Sequence, residues 1–159
     1  MMIVLASGMS RPFSTIVVET STSLELARQE GETLAAVLEC TVKDYDEIYE
    51  LTELSIGSHS LFVAAARRPA GTRCRVRIPA RDVSIALDAP RETSILNIIP
   101  AVIDDIDACA GPGVLVKLAI DNQFILARIT KKSLAALSLA KSQRVFVQIK
   151  GVALLRNND

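Results

Sequence analysis

Two stretches of this chain repeat each other, and the repeat constrains the fold more than any other feature. The segment LSIGSHSLFV from Leu54 and the segment LAIDNQFIL from Leu118 each contain two alternating strands joined by a short polar turn. That pattern is typical of a β-hairpin. The two hairpins stand 64 residues apart in a chain of 159 residues. The sequence therefore predicts two copies of one small unit.

The segments that flank the hairpins extend the repeat. Upstream, AVLECTV from Ala36 aligns with AVIDDID from Ala101 at an offset of 65, and downstream, CRVRIPARDVSIAL from Cys74 aligns with VFVQIKGVALL from Val145 at an offset of 71. The larger downstream offset predicts an insert in the second copy. It lies in ITKKSLAALSLAKSQ, whose leucine spacing and good helix formers predict a short helix near residues 133–139.

Each copy contains about five short strands in which apolar residues alternate with polar ones. We expect an all-β fold with two tandem OB-like five-stranded barrels, because each copy is too short for a sandwich and a barrel leaves no exposed edge. The predicted first barrel covers residues 34–88 and the second covers 93–155, with the seam DAPRET between them. Residues 1–33 are expected to add a short strand and then a linker helix from Thr20 to Gly31.

Composition and missing motifs exclude several function classes. Eighteen basic and eighteen acidic residues cancel, and only 4% of residues are aromatic, which disfavours nucleic acid as a partner. Three cysteines without C-x-x-C spacing and a single histidine argue against a zinc site or a disulfide framework, and a reducing cytoplasm fits best. No glycine precedes a lysine, so the phosphate-binding P-loop is absent, and no hydrolase triad is indicated. We therefore expect no enzyme activity, no ATP site and no metal ion site in this chain.

Four segments, in order, carry a resemblance to a known family: RVRIPARDVSIAL, TSILN, ARITKKSLAALSL and FVQIKGVALL. They resemble the C-terminal regulatory part of the ATP-binding subunit of molybdate ABC transporters, a tandem of molybdate-binding (MOP or TOBE) barrels. The similarity covers about Leu34 to Leu155. The start of the chain, MIVLASG followed by PFSTIVVET, resembles the end of an ABC ATPase domain, so the chain is interpreted as a fragment of a longer subunit.

The resemblance implies a site for a tetrahedral oxyanion, molybdate or tungstate, held between barrels of two subunits by hydroxyls, backbone amides and a lysine. The family turn Ser-x-Arg-Asn corresponds to Ser94, Ile95, Leu96 and Asn97, with leucine in place of arginine. The family's Thr-x-x-Ser corresponds to Thr130 and Ser133, and its lysine to Lys150; the next residue, often serine in the family, is Gly151. From the residues alone, Thr130 is equally an ordinary helix N-cap, and Ser94 and Asn97 are ordinary turn residues.

By resemblance, we expect a cytoplasmic oxyanion sensor that gives feedback inhibition of molybdate import. It would act as a homodimer at the inner face of the membrane, next to the transporter's permease. Two alternatives stay open: a structural dimerisation module whose anion site has decayed, which Leu96 and Gly151 favour, and a free-standing molybdate store. A store needs no ATPase remnant at residues 2–8.

Overall fold

The computed structural model describes residues 17–18, 34–108 and 111–155. The predicted N-terminal strand, the linker helix from Thr20 to Gly31 and most of the ATPase-like start lie outside these residues. The strands are β1 Val17–Val18, β2 Ala35–Asp46, β3 Leu51–Ile56, β4 His59–Val63, β5 Arg73–Pro79, β6 Val83–Ala86, β7 Asn97–Ala108, β8 Gly113–Ile120, β9 Gln123–Thr130, β10 Arg144–Ile149 and β11 Ala153–Leu154. A 3-10 turn, Ala80–Asp82, precedes β6, and helix α1, Lys131–Ala136, follows β9.

The two repeats fold into two curled sheets with the same strand order, so the predicted all-β, OB-like architecture is confirmed. One sheet has the order β11-β5-β2-β3-β4 and the other β6-β10-β7-β8-β9. Strand β1 adds to the first sheet by parallel pairing with β2. The fifth strand of each sheet comes from the other repeat, since β6 pairs with β10 and β11 pairs with β5. Each sheet therefore contains one strand from the opposite half of the sequence.

The strand registers give the true alignment of the two repeats. A β-bulge follows Val42 in β2 and Ile103 in β7, and these residues pair with Leu54 and Leu118. The hairpin offset of 64 is thus confirmed, but the preceding strands align at 61 residues, so the predicted offset of 65 is wrong. The second repeat has three more residues between the bulge and the hairpin, which a match of short apolar segments does not detect. The offset of 71 is confirmed, because Cys40 pairs with Cys74 where its counterpart Ala101 pairs with Val145.

Alternating burial explains why these segments form strands. Along β10, for example, Val145, Val147 and Ile149 are buried while the residues between them reach solvent. The inward side chains of both repeats belong to one hydrophobic cluster. Each fully buried Leu or Ile in it contributes on the order of 1.5–3 kcal/mol relative to exposure.

The second sheet packs against the first along β9, which contacts both β2 and the 3-10 turn. Five buried hydrophobic residues lie outside the main cluster: Leu34, Ala35, Ala80, Leu115 and Leu126. Four of them lie at this junction, Leu34 and Ala35 at the start of β2, Ala80 in the 3-10 turn and Leu126 in β9, and Leu115 lies on the neighbouring strand β8. Strand exchange and this packing together join the two barrels.

The predicted helical insert is confirmed, slightly earlier in the chain than expected. Helix α1 lies between β9 and β10, whereas the first repeat connects β4 to β5 by residues 64–72 without a helix. Across 34–108 and 111–155, no helix combines the length and the apolar character that crossing a bilayer requires.

Candidate functional site

The predicted oxyanion-binding residues fall into two groups at opposite ends of the second sheet. Ser94, Ile95, Leu96 and Asn97 lead into the start of β7, and Lys150 and Gly151 follow the adjacent end of β10, where Ile149 pairs with Asn97. We call these six residues the first half-site. Thr130 and Ser133, the second half-site, lie at the end of β9 and in α1.

Register places the second half-site near the far end of β7. Thr130 pairs with Gly113 on β8, and the next β8 residue, Val114, pairs with Ala108 at the end of β7. Strand β7 has 12 residues, and at about 3.3 Å per residue its ends are separated by roughly 35 Å along the strand. The structure therefore does not bring the two half-sites together within one chain.

The first half-site presents an exposed lysine and an exposed leucine. Lys150 and Ser94 are exposed, and Leu96 is 62% exposed. Because the leucine side chain touches little, the position that carries arginine in the family has open space around it. Lys150 is the cationic side chain of this half-site and would supply the charge that an oxyanion requires.

Asp82 is a neighbour of the first half-site that the sequence did not predict. Its carbonyl accepts a hydrogen bond from the backbone N–H of Lys150 at 2.9 Å. A Cβ atom added to Gly151 would lie 2.3 Å from Asp82 Oδ2 and 2.9 Å from its Cγ. Glycine is therefore the residue that this contact allows, and a serine would have to displace Asp82. The carboxylate also brings negative charge next to a predicted anion site, which weakens the attraction for an oxyanion.

Both polar atoms of the Asn97 side-chain amide form hydrogen bonds within the chain. Its side chain is buried; Oδ1 accepts a hydrogen bond from the Phe62 N–H at 2.7 Å, and Nδ2 donates to the Phe62 carbonyl at 2.9 Å. Phe62 lies in β4, in the other sheet. One hydrogen of Nδ2 remains for any further partner. The contact with Phe62 is one that spacing within a single repeat could not have predicted.

The second half-site forms the predicted helix cap. Thr130 Oγ1 accepts a hydrogen bond from the Ser133 N–H at 3.0 Å, and the two hydroxyl oxygens are 2.9 Å apart. The Lys131 N–H donates to the Pro112 carbonyl at 2.8 Å. The backbone N–H groups of Lys131 and Ser133 are therefore used within the chain. One hydroxyl hydrogen is used in the bond between Thr130 and Ser133, and the other is free to donate to a ligand.

The first repeat lacks polar counterparts of these residues. At the offsets given above, Ala36 corresponds to Asn97, Ala66 to Thr130 and Pro79 to Lys150, and Ser133 lies in helix α1, which the described part of the first repeat lacks. Only the second repeat contains the set that the family resemblance requires.

Ser58, His59 and Asp121 have the residue types of a hydrolase triad but not its geometry. Asp121 Oδ2 accepts hydrogen bonds from the N–H of Ser58 at 2.9 Å and from its hydroxyl at 3.1 Å, and His59 Nε2 lies 3.9 Å from Asp121 Oδ1. The serine donates to the carboxylate, whereas a triad serine donates to the imidazole. These bonds, backbone N–H first, lower the pKa of the Asp121 carboxyl. The cluster joins the β3–β4 and β8–β9 turns.

Comparison with protein families identifies the second repeat. Residues 93–155 match the family model described as the TOBE domain. These residues form a TOBE domain. The match begins one residue before Ser94 and contains every predicted site residue, so both half-sites belong to the TOBE domain.

The chain is also similar to longer curated proteins named molybdenum import ATP-binding protein ModC. It is 39% identical to that of Methylococcus capsulatus over 86% of the chain, 41% identical to that of Albidiferax ferrireducens over 86%, and 38% identical to that of Rhodopseudomonas palustris over 95%. The chain spans only 37% to 39% of the length of these relatives.

A solved structure has the same fold. It is a cytoplasmic molybdate-binding protein, ModG, in a crystal form with molybdate bound. The TM-score is 0.60 at 20% identity, over 74% of this chain and 93% of that one. At this identity the similarity supports the tandem-barrel architecture.

Proposed function

We propose that this chain binds molybdate or tungstate as the regulatory domain of a molybdate importer's ATPase subunit. The observation that carries the proposal is the division of the TOBE domain's candidate ligands into two half-sites, one with the exposed Lys150 and one with the Thr130 and Ser133 hydroxyls. A tetrahedral dianion needs both a cation and several donors. One chain offers them at opposite ends of a sheet, so two chains in a homodimer would supply both.

The relatives support a regulatory role. Proteins named molybdenum import ATP-binding protein carry a segment similar to nearly all of this chain. Oxyanion bound between two such domains would fix their separation and hold the attached ATPase domains in a transport-inactive arrangement beside the permease, on the cytoplasmic face of the membrane. Internal molybdate would then inhibit its own import.

A direct test is isothermal titration of the chain with molybdate, tungstate and sulfate. We expect heat with molybdate and tungstate, and weak competition by sulfate, which is smaller. Lys150→Ala should abolish measurable binding, because no other cationic side chain belongs to either half-site. Lys141→Ala is the matched control, since Lys141 is an exposed lysine that pairs with Asp105 at 3.2 Å.

The rival function is a dimerisation module whose anion site has decayed. Leu96 removes a cationic donor, and the contact of Gly151 with Asp82 replaces a hydroxyl by a nearby carboxylate. If native protein shows no heat with any of the three anions while remaining dimeric, the rival function is the correct one.

A further inference from the structure

A polar cleft lies between the two repeats, on the outer surface of the first sheet. Its volume is about 460 Å³, and its polar lining residues are Glu39, Thr41, Ser55 and Arg73 from the first repeat and Asn122 and Gln123 from the second. The Gln123 side chain is fixed by its two hydrogen bonds to the backbone of Glu39, at 2.8 Å and 2.9 Å. Small-molecule sites have volumes of this size. We call it the inter-repeat cleft.

Three polar side chains form a row along one wall of the inter-repeat cleft. Thr41 on β2 pairs with Ser55 on β3 and with Arg73 on β5. Side chains at paired positions lie side by side, with Cβ atoms about 4.5–5.5 Å apart. The Ser55 hydroxyl donates to the Gly57 carbonyl at 3.3 Å, whereas the Thr41 hydroxyl has no partner among the described residues. The row therefore offers a guanidinium and a free hydroxyl next to each other.

The second sheet shows that the fold does not require this row. Arg144 occupies the position equivalent to Arg73, but it pairs with Val102, and Val102 pairs with Ala119. The arginine is thus present in both repeats, and the two hydroxyls are present in the first repeat alone. Glu39 also has an uncharged counterpart, Pro100. The polar character of the inter-repeat cleft is therefore a property of this sequence at this place.

Two opposite charges face the inter-repeat cleft without pairing with each other. Glu39 and Arg73 are both exposed, and neither side chain has an ion-pair partner within 34–108 and 111–155. They occupy diagonal positions on neighbouring strands, which are about 7–8 Å apart. A ligand that carries both charges can bridge them. A tetrahedral oxyanion offers no cation to Glu39 and is far smaller than the cleft.

We propose that the inter-repeat cleft binds a free α-amino acid. Its carboxylate would accept two parallel hydrogen bonds from the Arg73 guanidinium and one from the Thr41 hydroxyl, and its ammonium group would donate to Glu39. Its side chain would extend toward Asn122 of the second repeat. This site shares no residue with either half-site, so it goes beyond the proposed function and does not depend on it.

The first test is titration of the isotope-labelled chain with L-glutamine, followed by NMR. This probe has both charges of an α-amino acid and an uncharged side-chain amide that suits Asn122. We expect the backbone amide signals of Thr41, Ser55 and Asn122 to shift. No shift of these signals at about 10 mM glutamine overturns the proposal, because even a weak specific site is occupied at that concentration.

Two analogues of the probe test whether both charges are recognised. N-acetyl-L-glutamine lacks the ammonium group, and L-glutaminamide lacks the carboxylate. Each should bind about tenfold more weakly than glutamine or less tightly still, because each loses one charge-assisted hydrogen bond. Binding of either analogue as tight as that of glutamine overturns recognition of a zwitterion.

A pair of equivalent arginines provides the matched control. Arg73→Ala should abolish the glutamine-dependent shifts, and Arg144→Ala should leave them unchanged. Both arginines are exposed at the start of equivalent strands, so neither substitution opens a cavity in the core. Glu39→Gln, which keeps the side-chain shape, should also weaken binding. Shifts that survive in Arg73→Ala, or that disappear equally in Arg144→Ala, overturn the assigned site.

Thermal unfolding gives a second readout, because a ligand that binds only the folded chain raises its unfolding temperature. Glutamine should raise this temperature for native chain and Arg144→Ala, and not for Arg73→Ala. Lys150→Ala should still bind glutamine, since the two sites are separate, and a loss there overturns their independence. Displacement of glutamine by molybdate would assign the inter-repeat cleft to an oxyanion and overturn the proposed ligand.

Discussion

The Asn97 side chain extends the sheet of the opposite repeat by bonding to the backbone of Phe62. Its amide presents one acceptor and one donor, at 2.7 Å and 2.9 Å, to the N–H and carbonyl of the same residue. Gln123 does the same for Glu39, at 2.8 Å and 2.9 Å. In both cases a side-chain amide satisfies backbone groups that the sheet leaves unpaired, and it ties one repeat to the other.

Asn97→Ala should destabilise the chain more than Gln123→Ala. It leaves both backbone groups of Phe62 without partners at a partly buried position, which costs about 1–3 kcal/mol. The contacts of Gln123 are exposed, so water replaces them. Urea unfolding monitored by circular dichroism measures both variants. An equal loss of stability in the two would contradict the structural role assigned to Asn97.

Gly57→Ala should separate the two hairpin turns, whereas Gly71→Ala should not. Both glycines have positive φ, +55° and +83°, so both substitutions carry a backbone cost of about 1–2 kcal/mol. Only at Gly57 does the added Cβ meet Asp121, 2.2 Å from its Oδ2; nothing lies within 4 Å of a Cβ at Gly71. The difference in unfolding free energy between the two variants measures the turn contact. Gly71→Ala as the more destabilised variant would be inconsistent with it.

Acid should weaken the same contact. The hydrogen bonds from Ser58 lower the pKa of Asp121 below the ordinary value of 3.8, so the folded state binds this proton less readily than the unfolded state. The stabilisation is complete above the unfolded pKa and is lost as pH falls through the lowered, folded pKa. We expect the stability gap between native protein and Asp121→Ala to narrow between about pH 6 and pH 2, the range that spans aspartate titration.

Denaturant unfolding at a series of pH values checks this narrowing. Asp105→Ala is a comparison, because the pKa of Asp105 is lowered by Lys141 and the Ile106 N–H instead, within one repeat. A gap for Asp121→Ala that stays constant down to the lowest pH would contradict the assigned contact.

Alternation and repetition within the sequence predicted the fold, because each strand records which of its faces is buried. The hairpins at Leu54 and Leu118 and the insert at α1 follow from local pattern alone. The exchange of β6 and β11 between the sheets could not be predicted in this way. Strands of two or four residues are too short to show an alternation of apolar and polar residues that would indicate their partner sheet. The wrong offset of 65 has a similar cause, because Ala36 and Ala101 begin segments that look alike in composition but differ in register.

The candidate site was predictable only as a list of residue types. Spacing could identify Thr130 and Ser133 as a cap pair, and the structure confirms that cap. Asp82 could not be associated with Gly151, because the two residues lie in different repeats and meet only through the strand exchange. The sequence does not predict the hydrogen bonds between Asn97 and Phe62 either, because these two residues also lie in different repeats.

The final prediction concerns the departure from the family turn at Leu96. Restoring arginine there should strengthen molybdate binding by about tenfold or more, because a charge-assisted hydrogen bond contributes about 1.5–3 kcal/mol. The leucine is 62% exposed, so the longer side chain displaces little packing. Leu87→Arg, at a 42% exposed leucine outside both half-sites, is the control for added charge alone. The measurement is titration of native protein, Leu96→Arg and Leu87→Arg with molybdate. Equal affinities in all three would mean that residue 96 does not face the anion. A gain in affinity in Leu87→Arg as large as in Leu96→Arg would assign the effect to net charge.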